Sequence, residues 1–144
     1  MTSPMAESHP PCPPLPPPVT RILSSLAESR LRAAVALIAH TRLPVMEILD
    51  LRWSQVDLTT GAMLMASGVT HLTEPQADLL YWHAARQRMD RRQVSSWPGA
   101  DRVIVDQRGA PYSWVRADNE VALACRSARM PIVNLNSLRH PVFR

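Results

Sequence analysis

Apolar residues recur at helical spacing through "TRILSSLAESRLRAAVALIAHT", residues 20–41, where Ile22, Leu26, Ala33 and Leu37 share one stripe and Ala34 and Ile38 lie beside it. That period predicts one core-facing helix. Thr20 suits its N-cap, and Ser25 with Glu28 forms a capping box for a later start. "LPVMEILDLRW" reads as a short second helix. Pro44 fits the first helical position, where its missing N–H would be unpaired anyway, and Glu47 complements the positive end of the helix dipole.

The period then changes. In "QVDLTTGAMLMA" the pairs Val56 and Leu58, then Met63 and Met65, alternate with other residues, which predicts two short strands about a Thr-Thr-Gly turn, and "VTHL" adds a third. Thr73, with Pro75 in the first turn and Gln76 three residues on, opens a helix through "EPQADLLYWHAARQRM" that runs out in the arginines of "DRRQ". Tyr81 sits mid-helix beside Trp82 in this pattern, which places it in the core or at its boundary. "RVIVDQRGAPY" is an extended segment followed by a turn. Trp114, Ala117, Val121, Ala124 and Ala128 mark a last helix, which Pro131 closes. The fold class is mainly α with a small antiparallel β-sheet (α+β), and the sequence contains no internal repeat.

Composition adds a boundary. Eight of the 14 prolines fall within the first 18 residues, where fixed φ and missing N–H groups favour polyproline II over a packed element. Residues 1–18 are expected to be a proline-rich flexible tail and residues 19–144 a single domain. The tail has no basic start and no continuous apolar run, so it is not a secretory signal. No stretch approaches the roughly 20 apolar residues of a membrane span, so a cytoplasmic protein is expected. Two cysteines, Cys12 and Cys125, and five scattered histidines have no metal-ligand spacing. Neither a metal nor a cofactor is called for. All 16 basic residues are arginine, and with 12 acidic residues the formal charge is +4. That balance permits contact with nucleic acid without requiring it.

The order of elements, with "EILDLRWSQVD" at residues 47–57, "GAPY" at 109–112 and "NSLRH" at 136–140, resembles the catalytic domain of tyrosine recombinases, the phage integrase family. The likeness runs over roughly residues 20–143. The first stretch looks like the family's Glu-x-x-x-Leu-x-Trp-x-x-Ile/Val-Asp pattern, the second like its Gly-x-Pro turn, and the third like its His-x-Leu-Arg-His box. The resemblance implies an enzyme in which a tyrosine attacks a DNA phosphodiester. Two arginines and a histidine clamp the nonbridging oxygens, and a lysine on the small sheet protonates the leaving 5′ hydroxyl.

Carried over residue by residue, that set is largely absent. Pro44 stands where the first arginine belongs, with Arg42 two residues earlier. The chain has no lysine, and arginine is too basic to act as the acid. Asn136 replaces the histidine that opens the arginine box, and Asn cannot shuttle a proton. Arg139 is retained. His140 matches a position that looks structural in the family. The second histidine or tryptophan and the nucleophilic tyrosine would follow Arg144, so the chain is expected to lack the C-terminal nucleophile segment. Neither Tyr81 nor Tyr112 is a replacement, because the family counterpart of Tyr112 packs in its turn.

Arg139 has two readings. It forks onto a phosphate at a helix start with help from backbone N–H groups, or it is a structural arginine paired with a carboxylate such as Glu47, and Asn136 is a further phosphate-binding candidate. Arg42, Arg88, Arg91 and Arg92 are further candidates for phosphate contact, although the run from Arg86 to Arg92 better suits a solvated helix C-terminus. Three functions stay open. The first is a catalytically inactive, integrase-like protein with weak, non-specific DNA affinity, acting in DNA integration and recombination. The second is a protein-binding regulator that engages a full-length tyrosine recombinase, or a second copy of itself, through an open acceptor groove. The third is a non-functional truncated gene remnant.

Overall fold

The computed structural model describes residues 15–91 and 101–140. Its centre is the alanine-rich run. Helix α2, Arg32–Thr41, buries six successive residues from Ala33 to Ile38, so it is apolar on every side and lies inside the molecule. Around it pack α1 (Pro17–Ser25), the short α3 (Val45–Leu49), α4 (Glu74–Arg91) and a 3-10 helix at Leu135–Arg139, while α5 (Trp114–Ser127) closes against α1. Three short strands, β1 (Val56–Asp57), β2 (Ala62–Met65) and β3 (Gly68–His71), form an antiparallel sheet in the order β1-β2-β3. The mainly helical fold with a small antiparallel sheet is therefore the one the pattern predicts.

The first predicted helix is in fact two. The stripe residues Ile22, Leu26, Ala33, Ala34, Leu37 and Ile38 are all buried, but the backbone bends between Leu26 and Leu31. Tertiary partners make the break. Arg86 of α4 donates to the carbonyls of Ala27 at 3.1 Å and Glu28 at 3.4 Å, and the Ser29 hydroxyl accepts from the Leu31 N–H at 3.1 Å. Carbonyls held from outside no longer need an intrahelical donor. The start also differs, because Pro16, four residues before the expected cap Thr20, is the N-cap, and Pro17 and Pro18 occupy the first positions, where no N–H is missed. Leu15 packs against the core. The helix thus begins inside the stretch read as tail, of which residues 1–14 lie outside the described residues.

In the sheet, Val56 pairs with Met63 and Leu64 with Val69. Met63 and Met65 point inward and Leu64 outward, the alternation expected of a sheet with one covered face. Gly61 turns the chain at φ +77°, and a Cβ there would sit 3.1 Å from the Leu72 carbonyl oxygen. Both facts favour glycine.

Helix α4 reverses the usual polarity. Its buried stripe is Gln76, Leu80, His83, Gln87 and Asp90, whereas Tyr81, Trp82 and Met89 are more than half exposed. Tyr81 is therefore not a core or boundary residue. The polar side chains turn inward because the neighbouring chain supplies their partners. Gln87 accepts from the Trp53 indole at 2.7 Å and donates to the carbonyls of Arg102 and Val103 at 3.0 and 3.2 Å. His83 shares the Val103 carbonyl at 2.6 Å, and Asp90 takes Nε and a terminal nitrogen of Arg30 at 2.6 and 2.8 Å. Segment 101–105 is not the strand or extended run expected but a bent stretch held by single bridges, Arg52 with Arg102 and Val105 with Pro111, with Val103, Ile104 and Val105 buried, and Asp106 closes the following turn by accepting from the Arg108 and Ala110 N–H groups. No helix among the described residues is long and apolar enough to cross a membrane.

The Arg30 and Asp90 side chains retain only 11% and 9% of their exposure, so removing one leaves the other charged and buried. Asp90→Ala is expected to cost about 3–5 kcal/mol in urea unfolding, and adding Arg30→Met should recover much of it. A loss below about 1 kcal/mol would contradict this packing.

Burial holds the His83 imidazole below its ordinary pKa, against the opposing pull of the Val103 carbonyl, and burial lowers His40 in the same sense. The unfolded chain then takes up a proton first as pH falls below about 6.5. Stability should be full above that pH and decline between it and the lower folded pKa values. His83→Gln, which removes one of the two groups, should flatten the fall in urea midpoint between pH 7 and pH 5.5, and an unchanged slope would argue against a buried neutral His83.

Candidate phosphate-binding site

The site grows from the end of α2. The Thr41 hydroxyl donates to the Leu37 carbonyl at 2.7 Å, and Arg42 follows in the left-handed region at φ 59°, its N–H returning to the Ile38 carbonyl at 2.9 Å. Glycine usually fills this position, and a side chain there costs about 1 kcal/mol. The reversal turns the Arg42 carbonyl toward the C-terminal 3-10 helix. Pro44, at φ −55°, is the exposed N-cap of α3 and donates nothing.

The 3-10 helix is anchored independently. Asn134 caps it, accepting from the Ser137 N–H at 2.9 Å, while the Leu135 N–H reaches Asp118 at 2.8 Å and Leu135 and Leu138 are buried. In a 3-10 helix residues three apart eclipse, so Asn136 and Arg139 emerge together on the outer side. Arg139 is half-buried, donating through Nε to the Arg42 carbonyl at 3.1 Å and through one terminal nitrogen to the Asn136 side chain at 3.2 Å. No ion pair joins it to Glu47 or to any other carboxylate among the described residues. The carboxylate-paired reading of Arg139 is not what the structure contains. Glu47 instead lines a separate hollow with Met46, Asp50 and Gln55.

Arg42, Asn136 and Arg139 are thus brought together, with the Arg42 side chain exposed and without a hydrogen bond among the described residues. The arginines of α4 are elsewhere. Arg86 and Asp90 touch residues 27–30, which precede α2, and Arg139 touches the residue that follows it. The ten residues of α2 separate the two groups by about 15 Å. Arg88 is exposed, Arg91 is half-buried and already engaged, and Arg92 lies outside the described residues. Sequence reasoning missed that Arg86 is a structural tie, because its partners, the Ala27 and Glu28 carbonyls and the Glu28 carboxylate, lie 58 and 59 residues away.

Neither tyrosine joins the site. Tyr81 is 57% exposed and meets the Trp82 ring edge-on. Tyr112 is buried, with its hydroxyl pushed up to about 12 by burial and by Glu120, and the Arg116 guanidinium lies 4.5 Å from its ring centre. It packs beside Ser29 and Arg30, at the end of α2 away from Arg139.

Solved structures share this arrangement of elements. XerA recombinase superposes with a TM-score of 0.70 at 19% identity, over 97% of this chain and 52% of its own. The XerH site-specific recombinase bound to its difH substrate, in a pre-cleavage complex, gives 0.63 at 17% identity over 96% of this chain and 43% of its own. The post-cleavage XerH complex on a palindromic substrate gives 0.64. The chain has a tyrosine-recombinase-like fold. It spans about half the length of the recombinases it matches, and at this identity the likeness establishes the fold alone. No protein-family model and no curated protein matches the sequence. Within that fold, the 3-10 helix holding Asn136 and Arg139 packs against α2.

Proposed function

We propose that the protein is a recombinase-fold DNA-binding protein that grips phosphate through Arg139, Asn136 and Arg42 and does not cut strands. One observation carries this reading. The Arg139 guanidinium is oriented by a carbonyl and an amide, neither of which cancels its charge, so it keeps its attraction for an anion. Pre-orientation lowers the entropy lost on binding. That XerH is solved bound to its DNA substrate supports nucleic acid as the partner.

The groups present fit binding and not catalysis. Pro44 cannot donate, Asn136 cannot exchange a proton at neutral pH, and a chain whose 16 basic residues are all arginine has no lysine to protonate the leaving hydroxyl. Losing one transition-state donor costs on the order of 10²–10³ in rate, and several are replaced together. On a nicked DNA substrate no covalent adduct is expected, and an adduct lost in Tyr81→Phe or Tyr112→Phe would overturn the proposal.

Binding itself should be sequence-tolerant and weaken steeply with salt, because guanidinium contacts to phosphate release counterions. Arg139→Ala should lower affinity uniformly across DNA sequences and reduce the slope of log K against log salt by about one. Arg88→Ala, at the other end of α2, is the control. Loss of slope in Arg88→Ala with none in Arg139→Ala would move the DNA face to the end of α4.

A further inference from the structure

Beside α4 runs a groove of about 310 Å³ lined by Arg32, Ala33, Leu79, Trp82, His83 and Arg86, at the end of α2 away from Arg139. Trp82 is 68% exposed, and Tyr81 stands against it edge-on with ring centres 6.1 Å apart, so the indole is braced yet uncovered. Two uncommitted groups share the groove with this ring. Arg86 is already tied to the Ala27 and Glu28 carbonyls and the Glu28 carboxylate, but the Arg32 side chain makes no hydrogen bond or ion pair among the described residues. Its charge is uncancelled. His83 directs Nε2 to the Val103 carbonyl at 2.6 Å, and because a carbonyl only accepts, Nε2 carries the single proton of the neutral ring. Nδ1 is then a bare acceptor, without a hydrogen bond among the described residues.

An open aromatic face, a free guanidinium and a lone-pair acceptor, in a lining that contains no acidic side chain, select an anionic ligand with a flat ring that bears N–H groups on its edge. A nucleotide has all three features. In a duplex its base faces are stacked and its pairing edges are bonded, so only an unpaired base offers them to a protein, and aromatic side chains with nearby cations are the surface on which such bases stack. We infer that this groove binds an unpaired base of single-stranded DNA, stacked on Trp82, with Arg32 on the adjoining phosphate and a base N–H directed to His83. The choice of DNA rests on the phosphate grip proposed above; the base site itself does not, because Arg139 lies beyond the far end of α2. The polar inner face of α4 explains why an aromatic pair is left outside for such a contact.

An abasic strand separates the base from the phosphate, since it carries the same charge and has no ring to stack. In anisotropy titrations of the full chain, a labelled oligodeoxycytidine should bind about tenfold more tightly than an abasic strand of equal length, the gain expected from one base on an aromatic side chain. Trp82→Ala, at an exposed position, should abolish that difference with the circular dichroism unchanged. Arg139→Ala, which tests the duplex grip, should leave the difference as it is. Equal binding of the two strands by the native chain, or a difference that survives in Trp82→Ala, would overturn the inference. So would a difference lost in Arg139→Ala, which would move the base to the other end of α2. Competition by free deoxycytidine monophosphate as strong as that by the strand at equal nucleotide concentration, or tighter binding of oligoribocytidine, would replace single-stranded DNA as the ligand.

Discussion

A single amide, Gln87, joins three separate parts of this chain. Its oxygen takes the Trp53 indole N–H and its nitrogen takes the carbonyls of Arg102 and Val103, so helix, sheet approach and the 101–105 segment meet at one buried group. An unpaired amide there would cost about 1–3 kcal/mol for each partner left bare, which makes the network stabilising only when complete. With His83 and Asp90 on the same stripe, α4 is fixed by directional bonds where most helices rely on non-directional apolar contact. Directional bonds set its rotation about its own axis, and that rotation leaves Tyr81, Trp82 and Met89 facing outward.

The same principle positions the candidate site from the other side of α2. That helix is buried on all faces and so cannot shift without disturbing every layer, which gives its C-terminus a fixed place. A left-handed Arg42 ends it and exposes one carbonyl, and Arg139 is aimed by donating to that carbonyl. Backbone strain of about 1 kcal/mol is thereby coupled to the orientation of a charged group at the surface. A carboxylate in the same place would orient Arg139 equally well but would cancel the charge on which the proposed phosphate grip depends.

Much of this was legible in the amino-acid sequence, and the reasons it was not complete are specific. Periods of 3.6 and 2 located the helical and strand regions, including all three strands, because apolar residues recur on the covered side of most of them. The bend at Leu26–Leu31 escaped because no glycine or proline marks it, and its cause is Arg86, 59 residues away from Ala27. The inward polarity of α4 escaped for a related reason. Gln87 and Asp90 read as surface residues until their partners, a carbonyl pair and Arg30, are known. In the site, Asn136 and Arg139 were found through a motif, but the Arg42 contact is 97 residues distant and made to a backbone oxygen, which any residue type provides.

Where the resemblance to recombinases assigns chemistry, the residues present are ones the fold itself uses. Pro44 fixes φ at the entry to α3, where a helix start loses nothing by lacking an N–H. Asn136 accepts from Arg139 across one turn of 3-10 helix, a contact that eclipsed side chains make without distortion. Both sit on exposed positions whose neighbours, Val45, Leu135 and Leu138, are buried and carry the packing. Binding geometry and reactive groups are therefore separable in this architecture. The scaffold that aims Arg139 consists of apolar contacts and backbone bonds, none of which requires a proton donor, a proton acceptor or a nucleophile at the surface it supports.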